Sequence, residues 1–418
     1  MADGIDMDAP QLIERSCRVI LERFRLHAAE SGFIDTKFDI VTGRDFADED
    51  FPHCRDLVFG WIQGRALESL AKHCEYFARL GREELRRECA AVLRKLLLKL
   101  QACRRANGGR IHFAMTPDGA PAGAVPAAGT TFADLFYFKG LWCAAPLFQD
   151  ADAAAEAESG LARVFDDIEA GHFVSGQLCF DPKNPAASAS VDFLAEGPRM
   201  IAIGAFADLI RLADDPGRHA ARAARFLRFI LEHHLRRGAD GRLRFFEYIR
   251  RADLAPATEH GVLLCDPGHG IEFTGLSGRL LRMMARRNCR DALLESICRE
   301  TLPELFLTLF DLGFQRDKGG IVKAVDALSG RILNSDMPWW SLPESCRAAR
   351  ELTELFPEKG DELARRGEAA WSAMTKYYLR PNGFCCQCRD GFGRIAAVIP
   401  AVPDADPGYH TNVCLMPD

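Results

Sequence analysis

Apolar residues recur at helical spacing in segment after segment of this chain. The pattern predicts helices over 10–31, 57–79, 82–105, 131–148, 151–170, 195–213, 217–236, 269–287, 290–312, 340–355 and 359–379, with a twelfth starting near 409. The connections alternate. After the helices ending near 80, 150, 215, 288 and 357 the break is short, often a Gly, an Asp or Pro-Gly. The others are long, about 20–30 residues, and carry the Asp-Gly or Ser-Gly steps between β-prone runs that hairpin turns need. They include "GGRIHFAMTPDGAPAG", "GHFVSGQLCFDP", "GRLRFFEYIRRADLAP", "GGIVKAVDALSGRIL" and "GFCCQCRDGFGRIAAVIP".

Helices that follow a long connection start near 59, 131, 196, 269, 340 and 409, a recurrence of about 65–73 residues. Six units of outer helix, hairpin loop and inner helix predict an all-α chain folded as an (α/α)6 barrel, one catalytic domain over 1–418, its last helix cut short by the end of the chain. An open α-solenoid is the structural alternative, but solenoid repeats are usually shorter.

Composition changes this picture little and narrows the function. Hydrophobic residues make up 48% and charged residues 27% of the 418 positions, an ordinary globular balance. The net charge is −6, and the basic residues of "LRRECAAVLRKLLLKLQACRR" share their segment with an apolar stripe, so nucleic acid is not an expected partner. No apolar run approaches the ~20 residues that span a bilayer, which excludes a membrane helix. The acidic start "MADGIDMDAPQLIERS" lacks the pattern of a signal peptide. Fifteen scattered cysteines, an odd number, point to reduced thiols and a cytoplasmic home.

Chemistry gathers at the starts of the six repeat helices. "WIQGR" supplies Trp61 and Arg65, and "TTFADLFYF" supplies Phe132 and Asp134. "AEGPRMIAIGAF" carries Glu196 and Arg199, "DPGHGIEF" carries His269 and Glu272, "PWWSLPESCRAA" carries Trp340 and Glu344 beside Trp339, and "PGYHTNV" carries His410. His269 and Glu272 stand at i and i+3, on one helix face. An unperturbed imidazole titrates near pH 6.5 and so takes and returns protons at neutral pH. Arg65 offers fixed donors for a developing oxyanion. Trp61, Phe132, Trp339 and Trp340 offer apolar faces that suit a sugar ring, and Glu344 offers a carboxylate to hydroxyls or to Arg65.

These marks, "WIQGR" (61–65), "DPGHGIEF" (266–273), "WWSLPES" (339–345) and "PGYH" (407–410), resemble in order and spacing those of the N-acylglucosamine 2-epimerase superfamily. That superfamily also holds cellobiose 2-epimerases and aldose–ketose isomerases acting on mannose or sulfoquinovose. The resemblance implies an (α/α)6 barrel and proton transfer at C2 of an open-chain sugar, with no metal and no cofactor. It casts His269 and His410 as the two acid/base groups, Glu272 as the companion of the first, and Arg65 as the binder of the C1–C2 oxygens. Reprotonation of the enediolate at C2 gives an epimer, and at C1 a ketose. An N-acylhexosamine or neutral hexose is the expected substrate. The third repeat helix, "GPRMIAIGAF", lacks the histidine of many isomerases and cellobiose epimerases. Gly275 stands where N-acylglucosamine epimerases usually have tryptophan, and "SDMP" where they have a lysine.

Other readings compete. A glycoside hydrolase or lyase on the same barrel needs two carboxylates flanking a bond, and Glu272, Glu344, Asp134 and Glu247 are candidates. His269, Glu272 and His410 could instead ligate a metal. "CCQC" (Cys385, Cys386, Cys388) lacks the second pair that zinc spacing requires and reads as buried thiols. A shortened last helix would leave apolar faces uncovered, which suits a binding protein or a homodimer.

Overall fold

The computed structural model describes residues 7–47, 55–122, 128–174, 192–258, 261–396 and 404–418. Among these, eleven α-helices coincide with the eleven that periodicity predicts. They fall into two compact units, the first spanning Asp6–Lys183, Arg380–Cys385 and Pro400–Asp418, the second Asn184–Leu379 and Cys386–Ile399.

The first unit holds α1 (Ala9–Ser31), α2 (Gly60–Arg79), α3 (Glu83–Ala106), α4 (Phe132–Ala144) and α5 (Ala151–Ala170). α3 buries one stripe, Leu85, Cys89, Leu93, Leu96 and Leu100 among others, and leaves its charged face exposed, whereas α4 is buried at every position from Ala133 to Ala144. A one-faced and an all-round apolar pattern therefore separate the two kinds of helix in each hairpin. α2 packs on α4 at backbone distance. A Cβ on Gly64 would lie 2.7 Å from the Phe136 carbonyl carbon, and one on Gly140 2.6 Å from the Gly64 oxygen. α4 begins at a capping box: Thr131 Oγ1 accepts from Ala133 N–H, and the Asp134 carboxylate accepts from Thr131 N–H.

The second unit holds α6 (Gly197–Leu212), α7 (Gly217–His233), α8 (Pro267–Arg286), α9 (Ala292–Gly313), α10 (Ser341–Leu355) and α11 (Gly360–Ala373). α8 lies against both α6 and α10. Two buried ion pairs set its register, Arg279 to Asp208 of α6 at 2.6 Å and Arg282 to Glu351 of α10 at 2.7 Å. Such pairs add little net stability, but breaking one strands a buried charge, so they specify alignment. A Cβ on Gly275 would meet the Ala348 Cα at 3.2 Å, which leaves no room for an indole at this position.

Short antiparallel strands replace helix where the long connections approach a helix start. Val58–Phe59 pairs with Ala114–Met115, so α2 begins three residues later than periodicity suggests. Two predicted hairpins close on themselves, Ala324–Asp326 with Ile332–Asn334 and Cys388–Arg389 with Ile395–Ala396, whereas in "GRLRFFEYIRRADLAP" Leu243–Phe245 pairs back with Leu235–Arg237, so the helix predicted to 236 stops at His233. "GHFVSGQLCFDP" lies mostly outside the described residues. The predicted twelfth helix begins as a π-helical turn, Tyr409–Val413. No helix among the described residues is long and apolar enough to cross a membrane. Cys385, Cys386 and Cys388 are buried, as "CCQC" suggests.

Candidate active site

In the second unit the corner Asp266-Pro267-Gly268 starts α8. The Asp266 carboxylate caps the helix by accepting from Gly268 N–H at 2.8 Å and His269 N–H at 3.3 Å, and Pro267 costs nothing at the first helical position. This delivers His269 to the helix start with its side chain 30% exposed. Its ring stacks on Trp340, centroids 5.3 Å apart, and a Cβ on Gly268 would run into that indole at 2.8 Å.

The imidazole is enclosed by carboxyl groups. Nδ1 lies 3.0 Å and 3.2 Å from the two Glu247 oxygens, and 3.6 Å from an oxygen each of Glu196 and Asp266. The backbone explains the gathering. Phe193–Ala195 pairs with Tyr248–Arg250, which seats Glu196 beside Glu247, and Glu196 N–H donates to the Glu247 carbonyl. Glu247 N–H donates to the carbonyl of Leu264, just before the Asp266 corner. Lys323 reaches in from the strand connection after Ile321, bonds Asp266 at 2.5 Å, and stands over the Trp340 ring.

The charges shift accordingly. Burial works against the His269 cation, but Asp266 and Glu247 outweigh it and raise the imidazole to about 10. Burial, then the charge of Glu247, push the Glu196 carboxyl well above the usual range. Burial would raise Asp266 too, yet His269 and Lys323 hold it below its ordinary value. With Nδ1–H donating to Glu247, Nε2 is the nitrogen left for a reacting proton. Ligand atoms of Glu196, Glu247 and His269 all fall within 4.8 Å of one another, a spacing a divalent cation could bridge; here a hydrogen bond already joins Glu247 to Nδ1.

Glu272, one turn beyond His269, is buried and faces α10. There Arg347 pairs with Glu344 and lies 4.0 Å from Glu272. The imidazole's hydrogen-bonded carboxylate is thus Glu247, and Glu272 belongs to a Glu272–Arg347–Glu344 group. Trp339 is buried, its backbone N–H donating to the Gln387 carbonyl, while Trp340 is the half-buried member of the pair. The four carboxylates that a hydrolase could use all have partners: Asp134 caps α4, Glu247 holds His269, and Glu272 and Glu344 share Arg347.

The first unit brings together Trp61, Arg65, Phe132, Phe136 and the Tyr409–Val413 turn. The Arg65 guanidinium stands 4.4 Å from the Trp61 ring, 4.5 Å from Phe136 and 4.7 Å from Tyr409. Each such contact stabilises the cation by about 0.5–2 kcal/mol, so the three hold a flexible side chain in place. Phe132 stacks on Phe136. A second aspartate corner, Asp406-Pro407-Gly408, presents the turn. Asp406 accepts from the N–H groups of Tyr409, His410 and Thr411, and Gly408 takes the left-handed φ of +83° that favours glycine. His410 is buried and edge-on to Tyr409. The Tyr409 hydroxyl meets the buried Lys139, itself paired with Glu68. Beneath the turn, Asn412 donates to His73 Nε2 at 2.9 Å and accepts from Ser16. Burial lowers His73 to about 4, which keeps it neutral for that bond.

The model of the N-acylglucosamine 2-epimerase (GlcNAc 2-epimerase) family matches residues 70–411. The chain belongs to this family. No curated protein matches it in sequence. Among solved structures it resembles cellobiose 2-epimerase from Bacillus thermoamylovorans (TM-score 0.69, 14% identity, covering 96% of this chain and 97% of that one). It resembles D-mannose isomerase as well (0.67, 13%, 96% of each chain). An α-mannanase of family GH76 from Bacteroides thetaiotaomicron is further off (0.56, 12%, 98% and 94%). At these identities the structures establish the fold, that of the (α/α)6-barrel epimerases and glycosidases, as the repeat predicts. Family and fold together make the protein an isomerase of the sugar epimerase and isomerase class.

Proposed function

We propose that this epimerase-family protein inverts C2 of a free, open-chain N-acylhexosamine or neutral hexose, as one catalytic domain in the cytoplasm. The observation that carries the reading is His269: a half-exposed imidazole on a helix start, stacked on Trp340, with one nitrogen held by Glu247 and the other left for chemistry. In this reading Arg65, steadied by its three rings, binds the C1 and C2 oxygens and stabilises the enediolate. Trp61, Phe132 and Trp340 face the sugar, and Glu272 and Glu344 bind its hydroxyls through the group they form with Arg347. One histidine removes the C2 proton, the electron pair moves into the C1–C2 enediolate, and the other histidine returns a proton to C2.

The test is proton exchange in heavy water over a panel of aldoses and N-acyl sugars. Deuterium at C2 with inversion supports the epimerase. Deuterium at C1 of a ketose product assigns aldose–ketose isomerisation, which shares the enediolate. No exchange with any sugar rejects both.

A further inference from the structure

We propose that Glu247 is a positioning residue that keeps His269 protonated on both nitrogens in the resting enzyme, and that Glu196 completes the enclosure as a neutral carboxylic acid. The inference rests on the proton-transfer reading above. It assigns His269 the role of proton donor toward whichever epimer binds the resting form, with His410 as the first base.

The geometry argues it. Three carboxyl groups stand within 3.6 Å of one imidazole nitrogen, contributed by three separate segments: the start of α6, the connection before Tyr248, and the cap of α8. Glu247 takes the Nδ1 proton at hydrogen-bonding distance. Glu196 is fully buried, and neither of its oxygens has a hydrogen-bond partner among the described residues. An ionised carboxylate left so is among the costliest arrangements in a protein interior, and a protonated one is far cheaper. The remaining groups facing the ring are Lys323, bound to Asp266, the Trp340 ring, and Glu272 one turn on, which shares Arg347 with Glu344. Around Nδ1 itself, ionised Glu247 and Asp266 balance Lys323 and an imidazolium when Glu196 is neutral. Removing the His269 proton leaves one uncompensated negative charge, and ionising Glu196 as well leaves two.

The proton balance of a turnover follows. His410 takes the C2 proton and the enediolate forms. His269 then gives its Nε2 proton to C2, leaving a neutral ring with Nδ1–H still on Glu247. The enzyme returns to rest when His410 loses a proton to water and His269 regains one.

The experiment is NMR of the full chain labelled with 15N-histidine, titrated from pH 5 to 10, with His269→Asn to assign the signal. Expected is a His269 ring that stays doubly protonated beyond pH 8. Glu247→Gln should lower its midpoint by more than one pH unit, while Glu196→Gln leaves it within about 0.3 unit; both amides keep shape and remove charge. A wild-type His269 that titrates between pH 6 and 7 overturns the proposal, and this measurement needs no variant at the carboxyl groups. So does a Glu196→Gln midpoint that moves as far as that of Glu247→Gln. The titration uses no substrate. A His269 that remains charged in a protein that turns over no sugar therefore upholds the positioning role while the proposed reaction fails.

Discussion

The two Asp-Pro-Gly corners use one backbone device and give their histidines opposite surroundings. In each, an aspartate accepts from backbone N–H groups of the turn it opens, those of Gly268 and His269 at one corner and of Tyr409 and His410 at the other. At Asp266 the helix runs on as α8, and His269 is half-exposed among carboxyl groups. At Asp406 one inserted residue, Tyr409, turns the chain into a π-helical turn, and His410 is buried against an aromatic ring. The same cap thus delivers an imidazole among carboxyl groups in one unit and an imidazole in aromatic surroundings in the other. An inverting proton transfer needs one group that begins charged, and the carboxyl groups around His269 suit it to that role.

Breaking either corner's chemistry should have the largest effect. His269→Asn and His410→Asn should each lower turnover by about 10²–10⁴-fold, the usual contribution of a general acid or base. The comparison also predicts a difference. With the donor gone, His269→Asn should still wash deuterium into one epimer through His410 without inverting it. Measuring exchange and inversion separately by NMR checks this; inversion that survives both changes removes these residues from the mechanism.

The aspartates sharpen the comparison at smaller scale. Asp266 serves as cap and also as the counter-ion of Lys323 and His269, whereas Asp406 binds backbone N–H groups. Asn keeps much of the capping and loses the charge. Asp266→Asn should lower kcat/KM by about 10-fold, the scale of a charge-assisted bond, and Asp406→Asn by less than about 3-fold. Equal effects would mean that the two corners act alike.

Reading the sequence found both corners and missed what distinguishes them. Eleven helices were legible because a 3.6-residue period needs only the local chain. Asp-Pro-Gly before a histidine was legible for the same reason. Glu247 was visible only as a loose hydrolase candidate, and Glu196 only as an acid at a helix start. Their meeting depends on two three-residue strands, Phe193–Ala195 and Tyr248–Arg250, too short to carry a period and joined across a whole helical hairpin. Lys323 sits in a hairpin with no motif around it. The anticipated partner of His269, Glu272, follows from i, i+3 spacing, but at that position the carboxylate turns toward Arg347 on α10.

Gly275 tests the packing that holds the first corner. Gly275→Trp places there the residue that N-acylglucosamine epimerases usually have, yet its side chain would enter the Ala348 backbone of α10. It should destabilise the protein by about 1–3 kcal/mol, the ordinary cost of overpacking, read as a lower midpoint in urea. An unchanged midpoint would show that α8 and α10 can part without cost.

The subtlest contrast is in pH. His269 has a folded value raised to about 10, so the stability it contributes is complete below its unfolded value near 6.5 and is lost as pH climbs through 10. His73, which holds the Tyr409–Val413 turn through Asn412, has a folded value lowered to about 4. Its contribution is complete above 6.5 and is lost as pH falls through 4. The two corners should therefore loosen at opposite ends of the scale. Hydrogen exchange, corrected for intrinsic rates, should show the amides of Gly268–Ile271 opening more readily above pH 9 and those of Tyr409–Val413 below pH 5. Glu247→Gln should move the first change to lower pH and leave the second. If both segments open together at either extreme, the protonation of each corner is not what holds it.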